Sequence, residues 1–382
     1  MTLTANWGYP TAIRFGAGRI QELAAACTEL GMKNPLLVTD KGLASLPITA
    51  STMDVLKNAG VEAGFFGDVM PNPDDVTLEA GLKLYKENGH DGVICFGGGS
   101  ALDLGKIIAF MSGQTRPVWD FEDIGDWWTR ADPDGIAPII AVPTTAGTGS
   151  EVGRAGLLTD TVNHIKKIIF HPKMLPAIVI CDPELTVGMP PVITAGTGLD
   201  AFVHSFEAYS SPVYHPMSQG IALEGMRLVK DNLLRAYKDG EDIEARAHMM
   251  SAAAMGATAF QKGLGAVHAL AHPLGAVYNT PHGMTNAIAL PAVMRFNRPA
   301  IEERVERLAA YLNIKGGFDG FYDWIVEFSE AMEVPKSMKA LGVDDKQIDL
   351  LAKMAVEDPS AGGNPIELTV EVTTKLYQEI II

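Results

Sequence analysis

Residues 91–111 read DGVICFGGGSALDLGKIIAFM, and this stretch decides the fold. It starts with an apolar run, continues through the three glycines at 97–99 and ends in a pattern typical of a helix. Further apolar runs alternate with helical stretches along the first half of the chain, at residues 35–40, 61–66, 137–143 and 177–182. Continuous apolar strands separated by helices indicate a parallel sheet that is covered on both faces. The sequence therefore predicts an α/β domain.

The second half of the chain has a different pattern. Strand-like runs stop near residue 190, and the remainder is predicted as helices at 193–209, 216–236, 241–261, 264–272, 282–296, 300–312, 318–331, 345–356 and 366–378. Pro273 is expected to interrupt regular structure after the fourth of these helices. Residues 251–260, SAAAMGATAF, are small and apolar on every face, as expected of a buried helix. The predicted organisation is an α/β domain at 1–189 and an all-helical domain at 190–382.

Composition excludes several classes of protein. The chain is 47% hydrophobic and 20% charged, which is ordinary for a globular protein. Its formal net charge of −16 argues against nucleic-acid binding and against binding to anionic membranes. The chain has no apolar run of eighteen residues, so no membrane span is predicted. The widely spaced Cys27, Cys95 and Cys181, and the lack of a signal-peptide layout, predict reduced thiols and a cytoplasmic location.

Two glycine-rich loops follow apolar strands. Residues 96–106, FGGGSALDLGK, open a helix, where backbone N–H groups and the helix N-terminus attract phosphate. The loop matches neither the Walker A nor the G-x-G-x-x-G pattern, and the alternative is a plain strand-to-helix turn. The second loop, VPTTAGTGSEV at 142–152, adds the hydroxyls of Thr144, Thr145 and Thr148. Two such loops favour a ligand with several polar sections, such as a dinucleotide.

Asp40 ends the apolar run at 35–40. From this position a carboxylate accepts hydrogen bonds from an adenosine ribose and repels the 2′-phosphate of NADP. Asp40 precedes the glycines by more than fifty residues, against the usual order, so a variant nucleotide-binding fold is predicted. The alternative is that Asp40 caps the next helix.

Candidate metal ligands occur in two helical segments of the second half, at 198–209 and 263–283. They are Asp200, His204, His268, His272 and His282. Residues four apart share one face of a helix. A carboxylate with several imidazoles suits a divalent first-row metal better than magnesium or calcium, which prefer oxygen ligands. The alternatives are packed histidines, a surface Asp–His pair, and a helix cap by Asp200.

The motifs together resemble the iron-dependent, or group III, alcohol dehydrogenases, a family that includes lactaldehyde reductase and 1,3-propanediol dehydrogenase. They cover nearly the whole chain: PNP (71–73), GGGSALDLGK (97–106), PTTAGTGSEV (143–152), DPELT (182–186), GLDAFVHSFEAY (198–209) and GLGAVHALAHPLGAVYNTPHG (263–283). The resemblance implies a dehydroquinate synthase-like fold, with an α/β dinucleotide-binding domain followed by an all-helical domain. It also implies a metal-dependent, NAD(H)-linked enzyme that interconverts small primary alcohols or diols and aldehydes by hydride transfer.

The resemblance also assigns roles to residues. The implied ligands of Fe²⁺, with Zn²⁺ as the alternative ion, are Asp200, His204, His268 and His282. The implied NAD contacts are Asp40, Asn72, Gly98, Gly99, Ser100, Asp103, Thr144, Thr145, Thr148 and Lys166. A homo-oligomer, dimer or larger, is expected. Residues 118–132, which hold three of the five tryptophans, are the least familiar part and are either a surface loop or a wall of the alcohol pocket.

His272 has two conceivable roles, because one helical turn separates it from His268. A catalytic metal with four protein ligands still needs an open position for its substrate, so a fifth imidazole would crowd it. We therefore predict that His272 stands beside the substrate as a general acid–base. The alternative is a histidine hydrogen-bonded to backbone where the helix meets Pro273.

The sequence leaves two rival functions open. A lyase or cyclase on the same fold, such as dehydroquinate synthase, needs basic residues around a phosphorylated acid, whereas the segments flanking the metal candidates are apolar. A non-catalytic nucleotide-binding protein would not need the complete set of ligands.

Overall fold

The computed structural model describes residues 11–163 and 165–382, which form two compact units. The first unit contains Gly149–Gly188 and the described residues before Ala146. The second contains Ala146–Thr148 and Met189–Ile382. The first holds a parallel sheet and the second is helical, so the predicted fold class is confirmed. The sequence also predicts an opening strand or hairpin at 7–16, of which residues 7–10 lie outside the described residues.

The first unit contains eight strands in its described part. They are β1 (Ala12–Phe15), β2 (Leu36–Asp40), β3 (Gly64–Val69), β4 (Val93–Gly97), β5 (Ile139–Pro143), β6 (Ala155–Asp160), β7 (Ile165–Phe170) and β8 (Ile178–Cys181). Six form a parallel sheet in the order β1-β8-β5-β4-β2-β3. Every residue of β4 and β5 is buried, because helices cover both faces of a parallel sheet.

The other two strands, β6 and β7, pair with each other as an antiparallel hairpin. This hairpin is not predicted from the sequence. Along β6 buried residues alternate with half-buried ones, so the hairpin lacks the continuous apolar runs that identify the other strands. The predicted strand at 61–66 was also misplaced, because β3 begins at Gly64.

Four helices pack on the sheet: α1 (Leu23–Glu29), α2 (Pro47–Asn58), α3 (Asp75–Glu87) and α4 (Gly99–Met111). Leu23 and Leu56 from two of them contact buried sheet residues such as Ile94 in one apolar core. All three cysteines lie in the described part and are buried free thiols. Burial raises the pKa of Cys27 and of Cys95 to about 12, so both are protonated at neutral pH.

The second unit contains the remaining helices. They are α5 (Pro191–Ser210), α6 (Pro216–Lys238), α7 (Ile243–Ala259), α8 (Ala266–Tyr278), α9 (His282–Tyr311), α10 (Gly317–Glu330), α11 (Ile348–Glu357) and α12 (Val370–Ile381). Within the described ranges, no helix combines the length and the apolar character needed to cross a membrane.

Prolines do not end helices in this unit, contrary to prediction. Pro273 lies inside α8, which ends instead at Tyr278. Its C-cap is Asn279, a residue with φ 53° whose N–H donates to the carbonyl of Gly275. Pro291 and Pro299 lie inside α9, so the helices predicted at 282–296 and 300–312 are one helix. A buried helix tolerates the lost N–H group because tertiary packing supplies most of its stability.

The start of α9 packs directly on α5. A Cβ atom on Gly283 would overlap the carbonyl oxygen of Gly196 and lie 3.3 Å from the Cβ of Asp200. On another side of α5, a Cβ on Gly256 in α7 would lie 2.9 Å from the carbonyl oxygen of Ala201. Glycine at these positions lets α5 be enclosed by its neighbours, which brings the first turn of α9 to the middle of α5.

The tryptophan-bearing segment at 118–132 packs on the β6–β7 hairpin. The Trp128 ring makes edge contacts with the rings of Phe170 and His171, at centroid distances of 6.4 and 5.8 Å. The Nζ atom of Lys167 lies 5.0 Å from the centre of the Trp119 ring. These contacts all lie within the first unit. They give packing roles to Trp119 and Trp128.

Candidate functional site

Four of the predicted metal ligands converge in the helical unit. Asp200 and His204 lie one turn apart on α5, His268 lies in the first turn of α8, and His282 is the first residue of α9. The Oδ1 atom of Asp200 lies 3.7, 3.7 and 3.6 Å from the Nε2 atoms of these three histidines in that order. We call these four residues the ligand cluster. All but His282, whose side chain is 31% exposed, are buried.

The spacing of the ligand cluster fits a small divalent cation. Metal–ligand bonds of about 2.0–2.2 Å place tetrahedral ligand atoms about 3.3–3.6 Å from one another. The separations from Asp200 are 3.6–3.7 Å, close to these values, and the ligand atoms of Asp200, His204 and His268 all lie within 4.8 Å of one another. One carboxylate oxygen and three imidazole nitrogens suit iron or zinc rather than calcium or magnesium.

Electrostatics inside the cluster favour a carboxylate and a neutral imidazole. Burial opposes ionisation of Asp200, but the three surrounding histidines outweigh it and hold the pKa of this carboxyl far below its usual range. Burial lowers the pKa of His204 to about 4, against the attraction of Asp200. His204 is therefore neutral at neutral pH and keeps a lone pair for a metal.

His268 has a second acidic partner that the sequence analysis missed. Its Nδ1 atom lies 2.6 Å from Oε2 of Glu207, a buried residue of α5. Burial alone would lower the pKa of His268, but Glu207 and Asp200 outweigh it and raise the pKa to about 9. A cation that binds Nε2 must displace the proton held there.

Asn286 contacts the same cluster. Its Nδ2 atom donates to Oδ1 of Asp200 at 2.8 Å and lies 3.2 Å from the Nε2 atoms of His268 and His282. Sequence spacing contained a signal for both missed residues. Asn286 follows His282 by four positions, and Glu207 follows His204 by three, so each shares a helix face with a candidate ligand.

His272 lies beside the cluster and has its own acidic partner. Its ring stacks on that of His282, with centroids 5.4 Å apart and planes 10° apart. Its Nδ1 atom lies 2.8 Å from Oδ2 of Asp358, which the sequence analysis did not single out. The alternative prediction of a backbone partner near Pro273 is wrong, since this nitrogen contacts a carboxylate. Nothing in the sequence around 358 signals the pairing.

The predicted nucleotide residues of the first unit gather at adjacent strand ends. Asp40 ends β2, Gly98 follows β4 and Thr144 follows β5, and these strands are neighbours in the sheet. The N–H of Thr144 donates to the carbonyl of Gly97 at 2.9 Å. A Cβ on Gly98 would lie 3.2 Å from Cγ2 of Thr145, so the two glycine-rich loops touch.

Gly97 provides the turn into α4. Its φ of 146° disfavours other residues, and a Cβ there would lie 2.8 Å from the Cβ of Ala101 and 3.1 Å from Oδ2 of Asp40. Helix α4 then begins at Gly99 without a side-chain cap, which leaves its first N–H groups available to an anion. Gly98, Gly99 and Ser100 lie at this start, as a phosphate site requires.

Asp40 makes a local hydrogen bond as well. Its Oδ1 atom accepts from the N–H of Leu43 at 3.0 Å, within a turn that precedes α2. Burial raises the pKa of this carboxyl, and hydrogen bonds from nearby backbone N–H groups oppose the rise. The alternative role of a helix cap is not observed, because α2 begins only at Pro47.

The other predicted NAD contacts occupy three places. Lys166 Nζ donates to Oδ1 of Asn72 at 2.6 Å, and burial lowers the pKa of Lys166 to about 8. Asp103 accepts from the N–H of Leu157 at 3.0 Å and from the hydroxyl of Ser150. Thr148 belongs to the helical unit.

Comparison with known proteins gives independent evidence about the family of this chain. Residues 10–183 match the family described as "Iron-containing alcohol dehydrogenase", and residues 194–381 match "Fe-containing alcohol dehydrogenase family, C-terminal". The chain is 36% identical to a 4-hydroxybutyrate dehydrogenase of Cupriavidus necator (94% of this chain and 95% of the relative). It is 32% identical to an NAD-dependent methanol dehydrogenase of Bacillus methanolicus (98% and 100%). A crystal structure of 1,3-propanediol oxidoreductase superposes with a TM-score of 0.93 at 34% identity, covering 98% and 99%.

Proposed function

Because the chain belongs to the iron-containing alcohol dehydrogenase family, we propose that the ligand cluster is its metal centre. The chain is an NAD-linked alcohol dehydrogenase with iron as its metal, so the predicted family, enzyme class and cofactors are confirmed. The observation that carries the proposal is the convergence of three imidazole Nε2 atoms on one buried carboxylate oxygen, at 3.6–3.7 Å. The α/β domain at 1–189 would then bind the nucleotide and the helical domain at 190–382 the metal.

Oxidation of an alcohol removes a proton from oxygen and a hydride from carbon. A divalent ion held by the ligand cluster would supply Lewis acidity toward the substrate oxygen, and bound NAD would be the hydride acceptor. His272 accepts the alcohol proton. Because its Nδ1–H donates to Asp358, its Nε2 atom carries the lone pair for this task.

In the first unit, the loops at the strand ends would hold the nucleotide. The first N–H groups of α4 would bind its phosphates, and Asp40 would accept hydrogen bonds from its adenosine ribose. The complete proposed set is Asp40, Asn72, Gly98, Gly99, Ser100, Asp103, Thr144, Thr145, Thr148 and Lys166.

Metal removal tests the proposed function. Dialysis against a chelator should abolish turnover, and Fe²⁺ or Zn²⁺ should restore part of it, with about one ion bound per chain. Metal content and NADH formation at 340 nm are measured on the same samples. Full activity in protein shown to be metal-free would refute the metal centre. A substrate consumed without net change at 340 nm would instead indicate a lyase that recycles its NAD.

Asp40 should set the preference for NAD over NADP. We expect wild type to prefer NAD at least tenfold, about 1.4 kcal/mol or more, because the carboxylate repels the 2′-phosphate. Asp40→Gly should narrow the gap. Asp40→Asn is the matched control, because its oxygen still accepts from Leu43 N–H while the charge is gone. The preference is measured as the ratio of kcat/KM with NAD to kcat/KM with NADP for each variant. A wild-type preference for NADP, or an Asp40→Asn ratio equal to that of wild type, contradicts the role of the charge.

We further propose small primary alcohols or diols as substrates, a homodimer or larger homo-oligomer, and a cytoplasmic location. Relatives named for methanol and 4-hydroxybutyrate support the substrate class. Buried free thiols and a net charge of −16 support a reducing compartment and argue against membrane or nucleic-acid partners. An alcohol panel tests the substrates, and light scattering of the purified protein tests the assembly.

A further inference from the structure

Glu207 is a buried carboxylate that lies two helical turns after Asp200 on α5. A buried charge is costly unless it is paired and hydrogen-bonded. Within the described residues, the ion-pair partner of Glu207 is His268, whose Nδ1 atom lies 2.6 Å from Oε2. The other oxygen, Oε1, accepts from the N–H of Val267 at 2.7 Å. Both oxygens are thus used at the start of α8.

We propose that Glu207 is a positioning residue that fixes the tautomer and the direction of the His268 ring toward the metal. The inference rests on the proposed function of the ligand cluster. An ionised carboxylate only accepts hydrogen bonds, so the proton of a neutral His268 must lie on Nδ1. The Nε2 lone pair then faces Oδ1 of Asp200, 3.7 Å away. Such carboxylate–histidine pairs orient metal-binding imidazoles and raise their basicity.

A neighbouring contact agrees with this tautomer. Nδ2 of Asn286 lies 3.2 Å from Nε2 of His268, and an amide nitrogen is a donor only. When His268 is neutral, Nε2 can accept in this contact, as the Nδ1–H tautomer requires. Hydrogen-bond partners on both sides of the ring select the form of the imidazole that can bind a cation.

Capping of α8 does not by itself account for a charged residue here. The preceding amide, Ala266 N–H, is capped by the neutral Oδ1 of Asn364 at 3.1 Å. A neutral amide would serve equally well at the next N–H group, because asparagine and aspartate cap helices about equally. Unlike Asn364, Glu207 also contacts the imidazole ring of His268.

Glu207→Gln replaces one of the two acceptor oxygens with a donor NH₂ group and hardly changes the shape of the side chain. If the glutamine oxygen continues to accept from Val267 N–H, its NH₂ group faces Nδ1 of His268 and donates to it. The imidazole proton then moves to Nε2, where it points at Asp200 and blocks a cation. We expect zinc affinity, measured by competition with a chelator, to fall about 10–100-fold. Glu207→Asp keeps an acceptor-only group with a shorter reach, so it should keep the tautomer and lose less affinity.

Asn364→Ala is the matched control, because it loosens the same helix start without touching the ring. It should lower the melting temperature while zinc affinity changes less than twofold. Long-range ¹H–¹⁵N spectra of histidine-labelled, metal-free protein, recorded above the His268 pKa of about 9 so that the ring is neutral, read the tautomer directly, with the His268 signals assigned by their loss in His268→Asn. We expect Nδ1–H in wild type and Nε2–H in Glu207→Gln.

The outcomes separate the two claims. If wild type binds no ion, the metal centre is refuted, while the tautomer spectra still test Glu207. If wild type binds zinc and Glu207→Gln binds it equally tightly with the same tautomer, the role of Glu207 is overturned and the metal centre stands. An equal loss of affinity in Asn364→Ala also overturns it, because Glu207 would then act only as a helix cap. Should Glu207→Gln fail to fold, the comparison of Glu207→Asp with wild type is decisive. An altered tautomer in Glu207→Asp refutes the inference.

Discussion

Asp200→Ala should leave the protein without bound metal and with turnover reduced about a thousandfold or more, since several kcal/mol of Lewis-acid stabilisation is lost. The Oδ1 atom of Asp200 lies within 3.7 Å of Nε2 of all three histidines in the ligand cluster. Its carboxylate is also the anionic ligand of the proposed set. Without it, three imidazoles remain around a buried cation with one charge fewer to balance it. Metal content and kcat are measured on the same preparation.

Asp242→Ala is the control for a general loss of structure. Asp242 also lies in the helical unit, where it caps α7 by accepting from Ala245 N–H at 2.9 Å. Its removal should cost about 1 kcal/mol of unfolding free energy and leave metal and turnover intact. Thermal melts of both variants show whether they fold. Wild-type metal content in folded Asp200→Ala would contradict the assignment of this ligand.

His272→Ala should keep its metal and lose about 10²–10⁴-fold in kcat, the usual contribution of a general acid–base. The ring lies beside His282 but is held by Asp358 at 2.8 Å, which sets it apart from the ligand cluster. The pH profile of kcat should change shape, because the group that accepts the alcohol proton is gone. Asp358→Asn should change kcat in the same direction and by less, since its NH₂ group donates to Nδ1 and favours the wrong tautomer.

His215→Asn is the matched control for replacing a histidine in this unit. Nδ1 of His215 accepts from the N–H of Ser218 at 3.1 Å at the start of α6, a capping role that asparagine can also fill. Its kinetics and pH profile should match wild type. Loss of metal in His272→Ala would make His272 a ligand, and unchanged kinetics would make it structural.

The sequence predicted elements whose pattern is local. Strands β4 and β5 were found because their burial on both faces requires continuous apolar residues. The β6–β7 hairpin was missed because its alternating pattern is short and interrupted by lysines 166 and 167. Pro273 was wrongly expected to end a helix, since the surroundings that support α8 are not visible in its sequence.

In the candidate site, too, local spacing could be predicted and long-range contacts could not. The pairs Asp200–His204 and His268–His272 are each four apart, and such spacing can be seen without a structure. The contacts that these histidines make with other helices and loops cannot be seen in this way, because Glu207 contacts a histidine 61 residues away and Asp358 contacts one that is 86 residues away. Spacing along one helix shows which residues share a face. Tertiary packing decides which face of another helix lies against that face.

The pairing of β1 with β8 has a consequence for the chain as it is synthesised. Ala12 of β1 is aligned with Ile178, and the hydroxyl of Thr11 bonds a carbonyl 166 residues later. At about 5–20 residues per second, the ribosome needs roughly 10–30 s to supply that partner. During this interval β1 is a strand edge with unsatisfied backbone groups and with the apolar side chains of Ile13 and Phe15. Such edges pair readily with other chains, so we expect β1 to be prone to aggregation until β8 is available to pair with it.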